Sequence, residues 1–240
     1  MASFQRINHS FYGNILTFGN NDVISRCVSA GHIWDANIGE NFAKYYVPGT
    51  DFIDIGANMG LLTLHLMMKH TNLEGGKGHL FECNPQVAAI CAENTRKYTD
   101  IIVYTAAVGD KVGMACFALL DFNTHENIGG NGVGDDQSKF RVPIVSLDSL
   151  DFPNKVSIIK IDVEGNEKNV VAGMTQLISQ HRPVIILEIY GGTSFERAND
   201  DQKLFIVGLI DIVTNMGYNF QRICYSDYLF TPKERSEDVK

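Results

Sequence analysis

Asp51-Phe52-Ile53-Asp54-Ile55-Gly56-Ala57-Asn58-Met59-Gly60 is the stretch that decides the fold. Its first half is short, apolar and bounded by turn residues, the pattern of a central parallel strand covered on both faces. Gly56 and Gly60 then permit a tight turn and a close approach of the backbone to a ligand. Leu61 to Met68 begins a helix. Strand, glycine turn and helix in this order open a doubly wound α/β sheet, whose ligands bind beyond the carboxyl ends of the strands.

The spacing of the turn points to a class of nucleoside cofactor. A dinucleotide loop needs G-x-G-x-x-G so that a pyrophosphate rests on the helix N-terminus. Here the residue two after Gly56 is Asn58, and the pattern is D-x-G-x-N-x-G. S-adenosylmethionine (SAM) has no pyrophosphate, and Asp54 at the strand tip is placed to meet its amino-acid end, directly or through water. A second acid, Glu82, ends the apolar run Gly78-His79-Leu80-Phe81, where a carboxylate accepts both ribose hydroxyl protons. NAD folds also place an acid there, so Glu82 gains its meaning from Gly56 and Gly60. An NAD oxidoreductase is disfavoured by Asn58.

With 240 residues and 45% hydrophobic content the chain can bury a full core, and it fits one α/β domain with additions. Residues 1–49 read as an N-terminal cap and 50–240 as the cofactor-binding domain. A net charge of −8 gives no basic footprint, which argues against nucleic acid as a partner. Cys27, Cys83, Cys91, Cys116 and Cys224 are odd in number, scattered and without C-x-x-C spacing. That argues against a disulfide framework and a thiolate zinc site, and a reducing cytoplasm is the expected location. No basic-plus-apolar leader and no apolar run of about 18 residues is present, so secretion and membrane spanning are not expected.

Along the chain, the aromatic cluster of Trp34, Phe42, Tyr45 and Tyr46 is expected to cover one edge of the core, with substrate contact the alternative role for Trp34. Pro85 opens a helix that buries Val87, Ile90, Cys91 and Asn94. Ile101 to Tyr104 begins a third strand that ends near Ala106 to Asp110, and Met114 to Leu119 is an added one. The polar, glycine-rich tract from Asp121 to Lys139 is too long for an ordinary connection. It reads as a substrate-side loop, with His125 as a possible general base. Val156 to Ile161 is a strand ending in Asp162-Val163-Glu164-Gly165, followed by one helix with Val170, Val171, Met174, Leu177 and Ile178 facing inward. Pro183 to Leu187 is the next strand, ending in Glu188, and Leu204 to Met216 is an amphipathic helix. Tyr218 to Cys224 and Tyr228 to Phe230 close the sheet as a hairpin around Ser226-Asp227.

Five blocks in order, Asp54 to Gly60, Glu82 with Asn84-Pro85, Val142 to Asp148, Ile159-Lys-Ile-Asp-Val-Glu-Gly-Asn-Glu167 with Gly173, and Arg182 to Glu188, resemble the FkbM family of SAM-dependent methyltransferases. The resemblance runs from about Thr50 to Phe230, and Cys83 stands where relatives usually carry proline. It implies a Rossmann-like class I methyltransferase fold: a seven-strand, mostly parallel sheet with an antiparallel last strand and helices on both faces. It also implies O-methylation of a sugar or polyketide hydroxyl, here a carbohydrate such as a terminal deoxysugar, rhamnose for example. The cofactor contacts it implies are Asp54, Gly56, Ala57, Asn58, Gly60, Glu82, Cys83, Asn84, Ala107 and Asp162. A small-molecule or glycan acceptor is the expected partner, and a glycosyltransferase a sensible companion.

Methyl transfer from a sulfonium needs the acceptor oxygen held in line, and a neutral alcohol must also lose a proton. Asp162 and Glu188 end neighbouring strands, so both carboxylates are expected in one crevice with Glu164 beside them. These three, with His125, are the candidate catalytic residues. Asp162 and Glu188 are also candidate ligands for Mg²⁺ or Mn²⁺, which acidify a bound hydroxyl. The competing structural reading has Glu164 and Glu167 favouring the start of the next helix through its dipole, and Glu188 pairing with Lys160. Lys160 reads as an ion-pair partner and not a base. Two other functions remain open at this point: N-methylation, which uses the same cofactor half, and a non-catalytic SAM-binding subunit.

Overall fold

The computed structural model describes residues 4–19, 22–70, 72–117, 140–189 and 195–237. The tract 121–139, with His125, lies outside them. The chain begins with an antiparallel hairpin, β1 (Gln5–His9) and β2 (Gly13–Thr17), then α1 (Val23–Ser29) and α2 (Ala36–Tyr45). The alternation anticipated from the glycine turn follows: β3 (Asp51–Ile55), α3 (Leu61–Lys69), β4 (Gly78–Glu82), α4 (Pro85–Thr95) and β5 (Ile101–Thr105). Three short strands come next, β6 (Ala107–Val108), β7 (Gly113–Phe117) and β8 (Phe140–Val145). The second half comprises β9 (Val156–Ile161), α5 (Glu167–Ala172), α6 (Thr175–His181), β10 (Val184–Glu188), α7 (Asp200–Asn215), β11 (Tyr218–Arg222) and β12 (Asp227–Pro232).

Among the described residues, seven strands form the main sheet in the order β11-β12-β10-β9-β3-β4-β5. β12 runs antiparallel to both neighbours, and the β10-β9-β3-β4-β5 pairs are parallel. Period-two alternation divides the core. Ile53, Ile55, Ile159, Ile161, Ile185 and Leu187 pack on one face with residues of α5, α6 and α7. Phe52, Ile158, Val184 and Ile186 pack on the other with Ile38 and Phe42 of α2 and Leu66 of α3. Asp54, Lys160 and Glu188 share the parity of this second set, so they belong to the α2 and α3 face. Phe42 and Tyr46 are buried core residues, as the edge-covering reading expected.

Asn94 explains how the N-terminal hairpin attaches. Its amide accepts from Leu16 N at 2.7 Å and donates to the carbonyls of Leu16 and Met59 at 3.0 and 2.9 Å. One buried side chain thereby ties β2, the cofactor turn and α4 together.

Two expectations need correction. The single helix anticipated after Asp162 is broken into α5 and α6 at Gly173-Met174. A Cβ on Gly173 would lie 1.9 Å from the Gly109 carbonyl oxygen, and the Gly173 carbonyl accepts from Asp148 N and Ser146 Oγ, both at 2.9 Å. Asp148 also accepts from Gln176 N and Leu177 N at 3.1 and 2.9 Å, which satisfies free donors of α6 from outside the helix. The third strand, expected to end near Ala106 to Asp110, stops at Thr105, and Ala107-Val108 pairs instead with β8 in a separate three-stranded sheet that holds the anticipated added strand as β7.

Candidate active site

The carboxyl ends of β3, β4, β9 and β10 open into a cleft of about 390 Å³. At its cofactor end, the N–H groups of Gly56 and Ala57 donate to the Phe81 carbonyl at 2.8 and 3.0 Å, which holds the turn against β4. Gly56 is required there, since a Cβ would lie 1.7 Å from the Asp162 carbonyl oxygen. Glu82 accepts from Asn58 N at 3.0 Å and from Asn84 N at 2.8 Å, so each of its oxygens is oriented by the backbone and keeps acceptor capacity. Burial raises its pKa, with those two donors opposing the shift. Asn84 caps α4 by accepting from Gln86 N at 2.9 Å. Asp54 is buried and accepts from Thr63 Oγ1 at 3.3 Å. Burial pushes its pKa up to about 7, offset in part by Lys160.

Nine of the ten expected cofactor residues line this cleft: Asp54, Gly56, Ala57, Asn58, Glu82, Cys83, Asn84, Ala107 and Asp162. Gly60 does not. It sits at the start of α3 with φ +79, facing Cys91 and Thr95 of α4, and shapes the turn from behind. Asn58 Oδ1 is buried without a hydrogen-bond partner among the described residues, an acceptor left for a ligand. The donor and acceptor set fits SAM: an anionic tip for the amino-acid end, and an oriented carboxylate for a ribose diol.

The other end of the cleft is a carboxylate cluster around one ammonium. Strand register creates it: Asp54 lies beside Lys160 across β3 and β9, and Glu188 beside Asp227 across β10 and β12. Lys160 Nζ is 3.6 Å from Asp162, 3.5 Å from Asp227 and 3.9 Å from Glu188. Burial alone would lower the lysine pKa, but Asp162, Asp227, Glu188 and Asp54 outweigh it and keep the ammonium charged. Glu188 is pushed up to about 8, by burial first and then by the nearby Asp162 charge. Ser226 Oγ donates to Glu188 at 3.2 Å. Glu164 is pushed up to about 7 by burial, Asp162 and Glu167. Glu167 behaves as the structural reading held: it is buried in the first turn of α5 and accepts from Gly165 N at 2.8 Å.

Three non-glycine residues of the cleft wall, Asp35, Asn58 and Glu164, have left-handed backbone, with φ of 43°, 49° and 51°. Such conformations persist where the surrounding structure over-determines them, commonly at functional sites. The sequence pointed to Asn58 and Glu164. It did not point to Asp35 or Asp227, which reach the cluster from distant parts of the chain. Trp34, expected chiefly to pack, lines the cleft and also touches the hydrophobic cluster around α1.

The expectation of Mg²⁺ or Mn²⁺ on Asp162 and Glu188 is not supported. Among the described residues no group of three or more histidines, cysteines or acids is arranged to hold a metal ion. The Lys160 ammonium already stands within 3.6 and 3.9 Å of these two carboxyl groups and supplies the positive charge there. Among the described residues, no helix is long and apolar enough to cross a membrane.

A family profile described as the methyltransferase FkbM domain matches residues 54–220. No curated protein matches the chain. Among solved structures it is similar to methyltransferase FkbM from Methylobacillus flagellatus KT, at 15% identity and a TM-score of 0.49, over 80% of this chain and 50% of that one. The chain thus spans about half the length of that protein. It is also similar to fibrillarin from Aeropyrum pernix with natively bound S-adenosyl-L-methionine, at 10% identity and a TM-score of 0.48, over 96% and 99% of the two chains. A SAM-dependent methyltransferase from Aquifex aeolicus shares 12% identity at a TM-score of 0.45, over 82% and 88%. The matched residues begin at the acid of the glycine turn and run through every parallel strand end that builds the cleft, and on that match the chain belongs to the FkbM family of SAM-dependent methyltransferases.

Proposed function

We propose that this methyltransferase modifies a hydroxyl of a sugar or glycan, a deoxysugar such as rhamnose being within that class. The observation that carries the reading is the chemistry of the acceptor end of the cleft. Carboxylates of Asp35, Asp162, Glu164, Glu188 and Asp227 line it together with the rings of Trp34 and Tyr225. Carboxylates accept hydrogen bonds from hydroxyls, and aromatic faces cover the apolar C–H face of a pyranose.

Bound against Asp54 and Glu82, SAM supplies an electrophilic methyl group whose leaving group is a neutral thioether. The chain must orient the acceptor oxygen and remove its proton. Asp162 is the proton acceptor in this reading. Its side chain is 34% exposed, against 19% for Glu188 and 11% for Asp227, so it is the member of the cluster most open to an acceptor. Lys160, 3.6 Å away, holds Asp162 in place, and Glu188 stands beside the same ammonium at 3.9 Å. Glu164, with a pKa near 7, is a second acceptor for a proton at the same wall.

A metal-independent reaction fits this cluster better than a metal-assisted one. The free cysteines fit a cytoplasmic enzyme, and the net charge of −8 disfavours a nucleic-acid acceptor. A glycosyltransferase that installs the acceptor sugar is the natural partner.

Calorimetric titration of SAM, with NAD as control, followed by turnover on a panel of methyl glycosides, tests the reading. SAM binding without NAD heat and methylation of at least one glycoside are expected. Asp162→Asn is expected to lower kcat by about 10²–10⁴, a far larger loss than any weakening of SAM binding. SAM binding with no turnover on any glycoside would remove the sugar assignment.

A further inference from the structure

Asp35 stands at the first position before α2, with φ 43° and ψ 45°, and makes no hydrogen bond to the free N–H groups of that helix. An aspartate in this position ordinarily has extended backbone and caps the helix. Asp22 does so on α1, with φ −76° and ψ 134°, accepting from Ser25 N at 2.8 Å. Asp35 forgoes that bond. Its carboxylate instead lies in the field of Lys160, Asp227 and Asp162. The residue is exposed at the rim of the cleft, where a ligand can reach it.

The opposite rim is the turn between β11 and β12. Ile223 N and Cys224 N both donate to the Asp227 carbonyl, at 2.9 and 3.3 Å, so the turn is held by the residue whose carboxylate pairs with Lys160. Asn37 Nδ2, two residues after Asp35, donates to the Ile223 carbonyl at 2.8 Å. This bond joins the two rims. Both rims lie outside residues 54–220, the segment that matches the family. The cofactor half is therefore built from the matched segment, and the mouth facing the acceptor is completed by residues on either side of it.

We propose that Trp34 and Asp35 form an acceptor subsite that binds a pyranose through a hydroxyl adjacent to the one that is methylated, with the Asn37–Ile223 bond fixing its distance from the carboxylate cluster. The inference rests on the glycan-hydroxyl reading and adds the residues that hold and select the acceptor. Trp34 lines the cleft beside it, and the Asp35 carboxylate, unused by the helix, keeps acceptor capacity for a ring hydroxyl. The reacting hydroxyl then falls near Asp162, and its neighbour on the ring is held by Asp35. Asp35 is a positioning residue with no part in the methyl transfer itself.

Asp35→Asn is the informative variant, because asparagine tolerates left-handed backbone and the substitution leaves the chain path intact while removing the charge. The probes are methyl α-L-rhamnopyranoside and its 2-, 3- and 4-deoxy derivatives, with SAM affinity measured in parallel by calorimetry. Asp35→Asn is expected to raise KM for the parent glycoside about tenfold or more, to change kcat less than about threefold, and to leave SAM binding unchanged. One deoxy derivative should give the wild-type chain the raised KM and show no further loss in Asp35→Asn. Asn37→Ala should raise KM for all of these glycosides together. An unchanged KM in Asp35→Asn, or an equal loss on every deoxy derivative, overturns the subsite while the sugar reading stands. Absence of turnover on the parent and all its derivatives by a wild-type chain that binds SAM overturns this subsite; methylation of other glycosides in the broader panel would then leave the sugar reading standing, and failure on those too would remove it.

Discussion

Gly56, Glu82 and Asp54 each answer a different physical demand at the cofactor end. At Gly56 the demand is steric: with φ +81 and a Cβ position 1.7 Å from the Asp162 carbonyl oxygen, any side chain displaces β9 from β3. Gly56→Ala is expected to abolish measurable SAM binding and to lower unfolding stability by more than about 2 kcal/mol, read by calorimetry and denaturant titration. Glu82 is a matter of acceptor geometry, since Asn58 N and Asn84 N aim its two oxygens. Glu82→Gln replaces one acceptor by a donor, and SAM Kd should rise about 10–100-fold with the fold retained. For Asp54 charge decides. Its pKa of about 7 falls when a cationic group settles on it, so SAM binds the ionised form preferentially. Affinity should therefore weaken as pH drops below 7, by up to about tenfold per pH unit, with proton release on binding. Titrations near pH 6 in two buffers of different ionisation enthalpy would reveal that release, and equal heats would contradict it.

At the scale of elements, local signals account for some boundaries and distant contacts for others. α4 begins where Asn84 and Pro85 predict, and its buried face is the one the apolar spacing gives. α7 begins four residues before the expected Leu204, because Asn199 and Gln202 form a reciprocal cap. Asn199→Ala should cost about 1 kcal/mol and lower Tm by about 2–4 °C without changing SAM affinity, since α7 packs on the sheet face away from α2 and α3. The break between α5 and α6 has no local cause as strong as its tertiary one. Apolar spacing continues through Met174, yet Gly173 rests on Gly109 and its carbonyl is claimed by Ser146 and Asp148. β8 was hidden for a related reason: with three of its residues half-buried and two exposed it lacks a clear alternation, and its pairing partners lie elsewhere in the chain.

For the molecule as a whole, the carboxylate cluster couples stability to pH. Asp54, Glu164 and Glu188 have folded pKa values raised to about 7, 7 and 8. Between the ordinary carboxylate range and those values the folded chain binds more protons than the unfolded chain, so their contribution is present at low pH and is lost as pH rises through 7 to 8. Asp51 works in the opposite sense. Burial would raise it, but His79, Asn154 and the Lys77 N–H hold it below its ordinary value, so its contribution is lost only as pH falls through that lowered value. Unfolding free energy is expected to decline from about pH 5 to 8, by up to about 1.4 kcal/mol per pH unit for each proton involved. Glu188→Gln should flatten the upper part of that slope in urea titrations across pH. An unchanged slope would show that Glu188 is ionised throughout.

The sequence by itself determined the parallel core, the glycine turn and the two strand-tip acids, Asp54 and Glu82. Those features follow from local rules: apolar runs mark buried strands, left-handed backbone calls for glycine, and an acid at a strand end projects from the sheet edge. Lys160 was legible as an ion-pair partner near the end of a buried strand, and Asp162 as the acid that follows that strand. Only the folded chain shows that Asp227 pairs with Lys160, that Asp35 faces the same cleft from in front of α2, and that one ammonium serves acids from three strands. Register between strands far apart in the chain and desolvation by surrounding protein are non-local quantities. They set which acids meet, and which of them keep a proton at neutral pH.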